Sequence, residues 1–151
     1  MTVTTVESLE RFIEDARALH GQDMTPEDLW HAMAQPLKPL LADPALKQLS
    51  ADWPVTSYEN LLFYQDPDYG FVVNGLIKAP GQKTRIHDHA HIWTLYGVLL
   101  GHETVYHYDR IDDGSRPDYA EIQLHDEIAV APGDYDLVAP YAIHAEINGP
   151  G

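Results

Sequence analysis

The sequence contains no cysteine, so no disulfide can staple the fold and no protein thiol can act in catalysis or ligation. Long apolar runs are missing too. No stretch approaches the roughly 18 consecutive apolar residues a spanning helix needs, and the opening MTVTTVESLERF lacks the basic-then-apolar pattern of an export signal. A soluble, unexported protein is expected, with the cytoplasm as its default compartment. Basic residues are scarce, with 9 Lys and Arg against 24 Asp and Glu, for a formal charge of -15. Such a surface repels a phosphate backbone, and no cluster of Lys or Arg offsets the repulsion locally. Nucleic acid and membrane are therefore set aside as partners, and the acidic excess reads as a solvated surface.

At 151 residues the chain suits one domain with one continuous core. Two textures follow one another along it. In residues 1–52, Val6, Leu9, Ile13, Ala16 and Leu19 recur at helical spacing until Gly21. Thr25-Pro26-Glu27-Asp28 reads as an N-cap, a first-turn proline and two acids, opening a second helix that Pro36 and Pro39 end or kink. Asp43-Pro44 opens a third, finishing near Leu49.

From Val55 the pattern turns to short β-rich runs, within a second region taken as 53–151. Candidate strands are Tyr58 to Tyr64, Phe71 to Ala79, Arg85 to His89, Thr94 to Leu100, Glu103 to Tyr108, Ala120 to Leu124, Tyr135 to Val138 and Ile143 to Ile147. Asp66-Pro67-Asp68-Tyr69-Gly70, Asp112-Asp113-Gly114 and Pro132-Gly133 punctuate them. Many short strands at close spacing imply a sandwich or barrel rather than an α/β sheet.

The chemistry is concentrated in GQKTRIHDHAHIWTLYGVLLG, Gly81 to Gly101. On a strand, His87 and His89 leave the same face and converge, as metal ligands must. Imidazole suits iron, zinc, copper and nickel. His91 shares their parity but is expected in a turn at the rim. Arg85 has the parity of His87 and is the first candidate for reading substrate charge. Thr94 and Tyr96 of the next strand are expected to shape the pocket. The many strand tyrosines read as good β-formers, with holding a ligand histidine as their alternative role. Trp53 and Trp93 are taken as core, and Asn148-Gly149-Pro150 as turn chemistry.

These residues resemble the cupin superfamily. Gly81, His87, His89 and Gly101 fit its first motif, with Thr94 where a Glu is usual. Gly133, His144 and Asn148 fit its second, with Pro140 one position late and Ala142 replacing the inner glycine. Within the superfamily the chain looks most like the thiol dioxygenases, the group of cysteine dioxygenase and 3-mercaptopropionate dioxygenase, in its Ile86-His87-Asp88-His89 run, its non-ligand at the Glu position, Trp93 and its helical preface.

That resemblance implies an all-β double-stranded β-helix, a jelly-roll barrel with a short helical N-terminal preface. It implies Fe(II) held by His87, His89 and His144, and dioxygen and a small anionic substrate as reactants. Zinc, nickel or manganese are the alternative ions, and a homo-oligomer is compatible with the pattern. Two departures stand out. Tyr58-Glu59-Asn60-Leu61 carries no arginine where the family clamps a substrate carboxylate, and the family's Ser-His-Tyr relay has no counterpart after His144. A last barrel strand is also missing from the pattern, so an edge is expected to need cover from a neighbouring chain or the N-terminal segment. A non-redox cupin metalloenzyme (isomerase, lyase or hydrolase) and a non-catalytic metal- or small-molecule-binding cupin are the competing readings.

Overall fold

The computed structural model describes residues 6–54 and 58–150. Three helices precede seven strands among them. α1 (Glu7–His20) opens on Glu7 and Glu10 and closes on Arg17 and His20, charges that complement the helix dipole at both ends. Val6, Leu9, Ala16 and Leu19 pack as expected, with Phe12 buried in place of Ile13. α2 (Pro26–Ala42) starts as the sequence predicts, with Thr25 accepting a hydrogen bond from the Asp28 amide at 3.2 Å. It does not end at its prolines, however. The helix continues through Pro36 and Pro39 to Ala42. Each proline forfeits a backbone hydrogen bond, but Met33, Leu37, Leu40 and Leu41 are all buried along this stretch, and that burial outweighs the loss. α3 (Pro44–Ala51) is capped by Asp43, which accepts from the Ala45 amide at 2.9 Å and also from the Ser8 hydroxyl of α1.

The β region is three small antiparallel sheets. Its expected start at Val55 lies outside the described residues. β1 (Glu59–Gln65) pairs with β2 (Val72–Ile77). The turn between them is organised by Asp66, which is 2% exposed. Its carboxylate accepts from the amides of Asp68 and Tyr69 and the Tyr64 hydroxyl, and it pairs with Arg17 of α1. β3 (Thr94–Gly97) pairs with β6 (Tyr135–Val138), and β4 (Glu103–Arg110) lies between β5 (Ile122–Val130) and β7 (Ile143–Asn148).

Several boundaries differ from expectation. The strand expected over Arg85 to His89 is absent: the segment makes only isolated bridges at Lys83 and His87. β5 begins two residues later than predicted and runs well past Leu124 to Val130, because Asp126 and Glu127 stay exposed while still pairing with β4, with His125 at a register shift. β3 stops at Gly97 rather than Leu100. Asn148 closes β7 instead of opening a turn, and its Nδ2 donates to the carbonyls of Lys78 (3.1 Å) and Ala79 (2.9 Å), tying β7 to the end of β2.

Alternation along β3 joins the two halves. Leu95 and Leu99 pack on the helical cluster of Phe12, Met33, Leu37, Leu41 and Phe71, while Tyr96 and Val98 join Val105 and Val130 on the opposite face. Gly97 faces the helices so closely that an added Cβ would lie 2.8 Å from Leu41 Cδ1 and 3.1 Å from Leu37 Cδ2. Both leucines are buried and have little room to yield. Gly97→Ala is expected to cost about 1–3 kcal/mol by overpacking, read as a lower denaturation midpoint, with part regained in the Leu41→Ala background. No helix among the described residues is long and apolar enough to cross a membrane.

Candidate metal centre

β4 and β7 set the register of the site. Glu103 lies opposite Asn148, Val105 opposite Glu146, and His107 opposite His144. Directly paired side chains share one face, so His107, His144 and Glu146 project together with Val105, which is fully buried. His87 joins from the other side of β7. Its amide donates to the His144 carbonyl and the His144 amide donates back, both at 2.9 Å. This reciprocal bridge makes His87 and His144 cross-strand neighbours even though no regular strand runs through His87.

The three predicted ligands are brought together. His144 Nε2 lies 3.0 Å from His87 Nε2 and 3.1 Å from His89 Nε2. Among the described residues they form a group whose ligand atoms all lie within 4.8 Å of one another. A ring nitrogen has one in-plane position, holding either a proton or a lone pair, so His144 Nε2 cannot make full hydrogen bonds to both neighbours. A shared cation removes the conflict by taking a lone pair from each. The two separations from His144 suit bonds of about 2.0–2.1 Å to one ion.

The remaining ring atoms agree. His87 Nδ1 lies 2.6 Å from the Arg85 carbonyl; a carbonyl only accepts, so Nδ1 carries the proton and Nε2 keeps its lone pair. His144 is 2% exposed. Burial lowers its pKa, with the Glu146 charge acting in the opposite sense, and a neutral imidazole is the ligating form. His89 is followed by the expected turn, in which the Ile92 amide donates to the His89 carbonyl at 3.1 Å and His91 is exposed. The Tyr141 amide donates to the Ala90 carbonyl at 2.7 Å, linking the loops before His144 and after His89. Both Ala90 and Tyr141 have positive φ, 52° and 62°. The conformation a glycine favours falls on Tyr141, next to Ala142, which stands where the motif has its inner glycine.

Thr94 and Tyr96 are half-buried on β3, opposite Val138 and Asp136. Tyr96 is held protonated: burial, then the Glu103 carboxylate, raise its pKa far above the ordinary range. The Arg85 side chain is exposed; it is the residue's carbonyl that meets the triad. The parity that placed its side chain beside His87 required a strand that does not form. The ligand histidines are anchored by a backbone carbonyl and faced by a carboxylate, rather than held by tyrosines.

Sequence reading missed four residues here. Lys78, Glu103 and Glu146 form a buried ion group. His107 is bracketed by two aspartates, with Nδ1 2.5 Å from Asp126 and Nε2 3.0 Å from Asp136. Glu103 shares the parity of Val105 along its strand, and that was the available signal. Burial alone would lower the His107 pKa, but the bonds to Asp136 and then Asp126 prevail and raise it. A raised pKa stabilises the fold fully below the unfolded value of about 6.5, and that contribution is lost as pH rises through the folded value. His107→Gln is expected to lack this contribution, read as a gap in melting temperature below wild type that closes as pH rises through this window. Exposed His125 beside Asp109 shifts in the same direction, but such a pair adds little.

No protein-family model and no curated protein matches the chain.

Proposed function

We propose that the chain is a cupin metalloenzyme, a mononuclear non-haem iron dioxygenase resembling the cysteine dioxygenase group and acting on a small anionic substrate. The observation that carries this reading is the gathering of three histidines, with His144 Nε2 3.0 Å from His87 Nε2 and 3.1 Å from His89 Nε2, and with the Nδ1 of His87 turned to a carbonyl. The motif glycines support it as well: Gly81, Gly101 and Gly133 have φ of 72°, 79° and 95°, a region that side-chain-bearing residues avoid.

His87, His89 and His144 would hold the ion as neutral ligands. When bound, ferrous iron supplies Lewis-acid and redox chemistry for inserting oxygen into a coordinated thiolate, enolate or carboxylate. The protein's share is orientation and charge. The His87–His144 bridge and the Ala90–Tyr141 link fix the ligand geometry, and neutral imidazoles leave the cation's charge available to an anionic substrate. Tyr96, kept protonated, walls the site beside Thr94 without adding a negative charge. Arg85 is the cation a substrate carboxylate would meet on the exposed side.

Metal content of protein purified without added metal, followed by oxygen uptake of the iron-loaded form on cysteine, 3-mercaptopropionate, cysteamine and a diketone, tests the proposal. Near-stoichiometric iron with thiol-dependent uptake is the expected result. Iron without uptake on any of these substrates, or turnover that persists without oxygen, overturns it in favour of a non-redox cupin. That second reading draws its support from Tyr58-Glu59-Asn60-Leu61, which offers no arginine to clamp a carboxylate.

A further inference from the structure

Lys78, Glu103 and Glu146 make up a buried charged group with no part in the chemistry above. Their side chains are 6%, 4% and 9% exposed. Lys78 Nζ pairs with Glu103 and lies 3.0 Å from Glu146 Oε2, while the Tyr96 ring covers it at 4.8 Å. One cation against two carboxylates leaves an excess negative charge out of water, which is costly unless a further donor or cation meets it.

Such a donor is adjacent. Glu146 Oε1 faces His144 Nδ1 at 3.9 Å. Among the described residues that nitrogen is the one buried side-chain polar atom without a hydrogen-bond partner. With His144 Nε2 turned toward His87 and His89, its proton belongs on Nδ1, aimed at Glu146. The Glu146 backbone is fixed by its amide, which donates to Thr84 Oγ1 at 2.9 Å, and its carboxylate is engaged at Oε2 by Lys78.

We propose that Glu146 is the positioning residue of the metal centre: it accepts the Nδ1–H of His144, closing the 3.9 Å contact to a hydrogen bond, while the Lys78–Glu103 pair holds its carboxylate in place. This rests on the three-histidine reading of the site. A carboxylate behind a ligand histidine fixes the tautomer and ring orientation and makes Nε2 more basic. The same charge balances the cation that the histidines hold.

Cobalt(II) titration of the full chain, following both the dissociation constant and the visible absorption bands, tests this in wild type, Glu146→Gln and Glu146→Ala. Wild type is expected to bind one ion. Glu146→Ala weakens binding by about 10–100-fold, Glu146→Gln by less, because its amide oxygen still accepts but carries no charge, and both shift the bands by altering the donor strength of His144. Unchanged affinity and bands in both variants overturn the proposal and leave the metal centre standing. Failure of wild type to bind cobalt overturns the centre itself. If Glu146→Ala fails to fold, Glu146→Gln decides alone, since it keeps an oxygen for Lys78. A wild-type constant and spectrum in that variant overturn the proposal, and weaker binding supports it.

Discussion

Alanine at His144 is expected to abolish specific metal binding and to destabilise the fold as well, whereas alanine at His87 or His89 removes metal binding at little cost in stability. The three residues contribute ligand atoms to one point, so each loss leaves a two-histidine remnant. The fall in affinity should exceed the roughly 10–100-fold typical of losing an outer partner. Their burial differs, however. His144 is 2% exposed and paired on both sides, with His87 and with β4, while His87 and His89 are only half-buried. Removing the His144 ring opens a cavity beside Val105 and leaves Glu146 without a facing donor, a combination costing on the order of 2–5 kcal/mol. Thermal melts with and without added metal separate the two effects. Ion at 100 times its dissociation constant stabilises a binding-competent fold by about 2.7 kcal/mol. Wild type is expected to show that upward shift and all three variants to lack it, with only His144→Ala starting from a lower baseline. A full metal-induced shift in any one variant removes that residue from the ligand set.

How much of this site is legible in the sequence depends on what kind of information each part uses. Helix starts are local, and Thr25-Pro26 and Asp43-Pro44 declare themselves within four residues. The histidine trio is legible because two ligands lie in one short segment and the third sits in a second motif at matching spacing. Even so, the parity argument for His87 and His89 presumed a strand, and the segment instead hangs from β7 by isolated bridges. The parity argument for Arg85 rested on the same presumption. That α2 runs on through its prolines was not legible, because their cost is local while the compensating burial of Leu37, Leu40 and Leu41 is tertiary. β5 was cut short because LHDEIAV alternates poorly, its pairing supplied by β4 on one side only. The ion group was the least legible, since its members are separated by 25 and 68 residues and single charged residues read as surface until a register places them inside.

Removing the cation from that group is the other large effect expected. Lys78→Met leaves Glu103 and Glu146 side by side out of water without their shared partner, and breaking a buried pair in this way costs about 3–5 kcal/mol. In a chain of this size the loss corresponds to roughly 10 °C in melting temperature. Melting temperature is the check, and a variant that melts like wild type shows that Lys78 does not carry the charge balance. The companion experiment replaces the whole group. Apolar residues of similar volume at all three positions are expected to restore most of the stability, because the desolvation cost disappears with the charges. If Glu146 also positions His144, this triple variant will melt near wild type and yet bind cobalt(II) no better than Glu146→Ala. Stability and metal affinity would then be separable within one group: the Lys78–Glu103 pair keeps the carboxylate in place, and the carboxylate keeps the histidine ready for the ion.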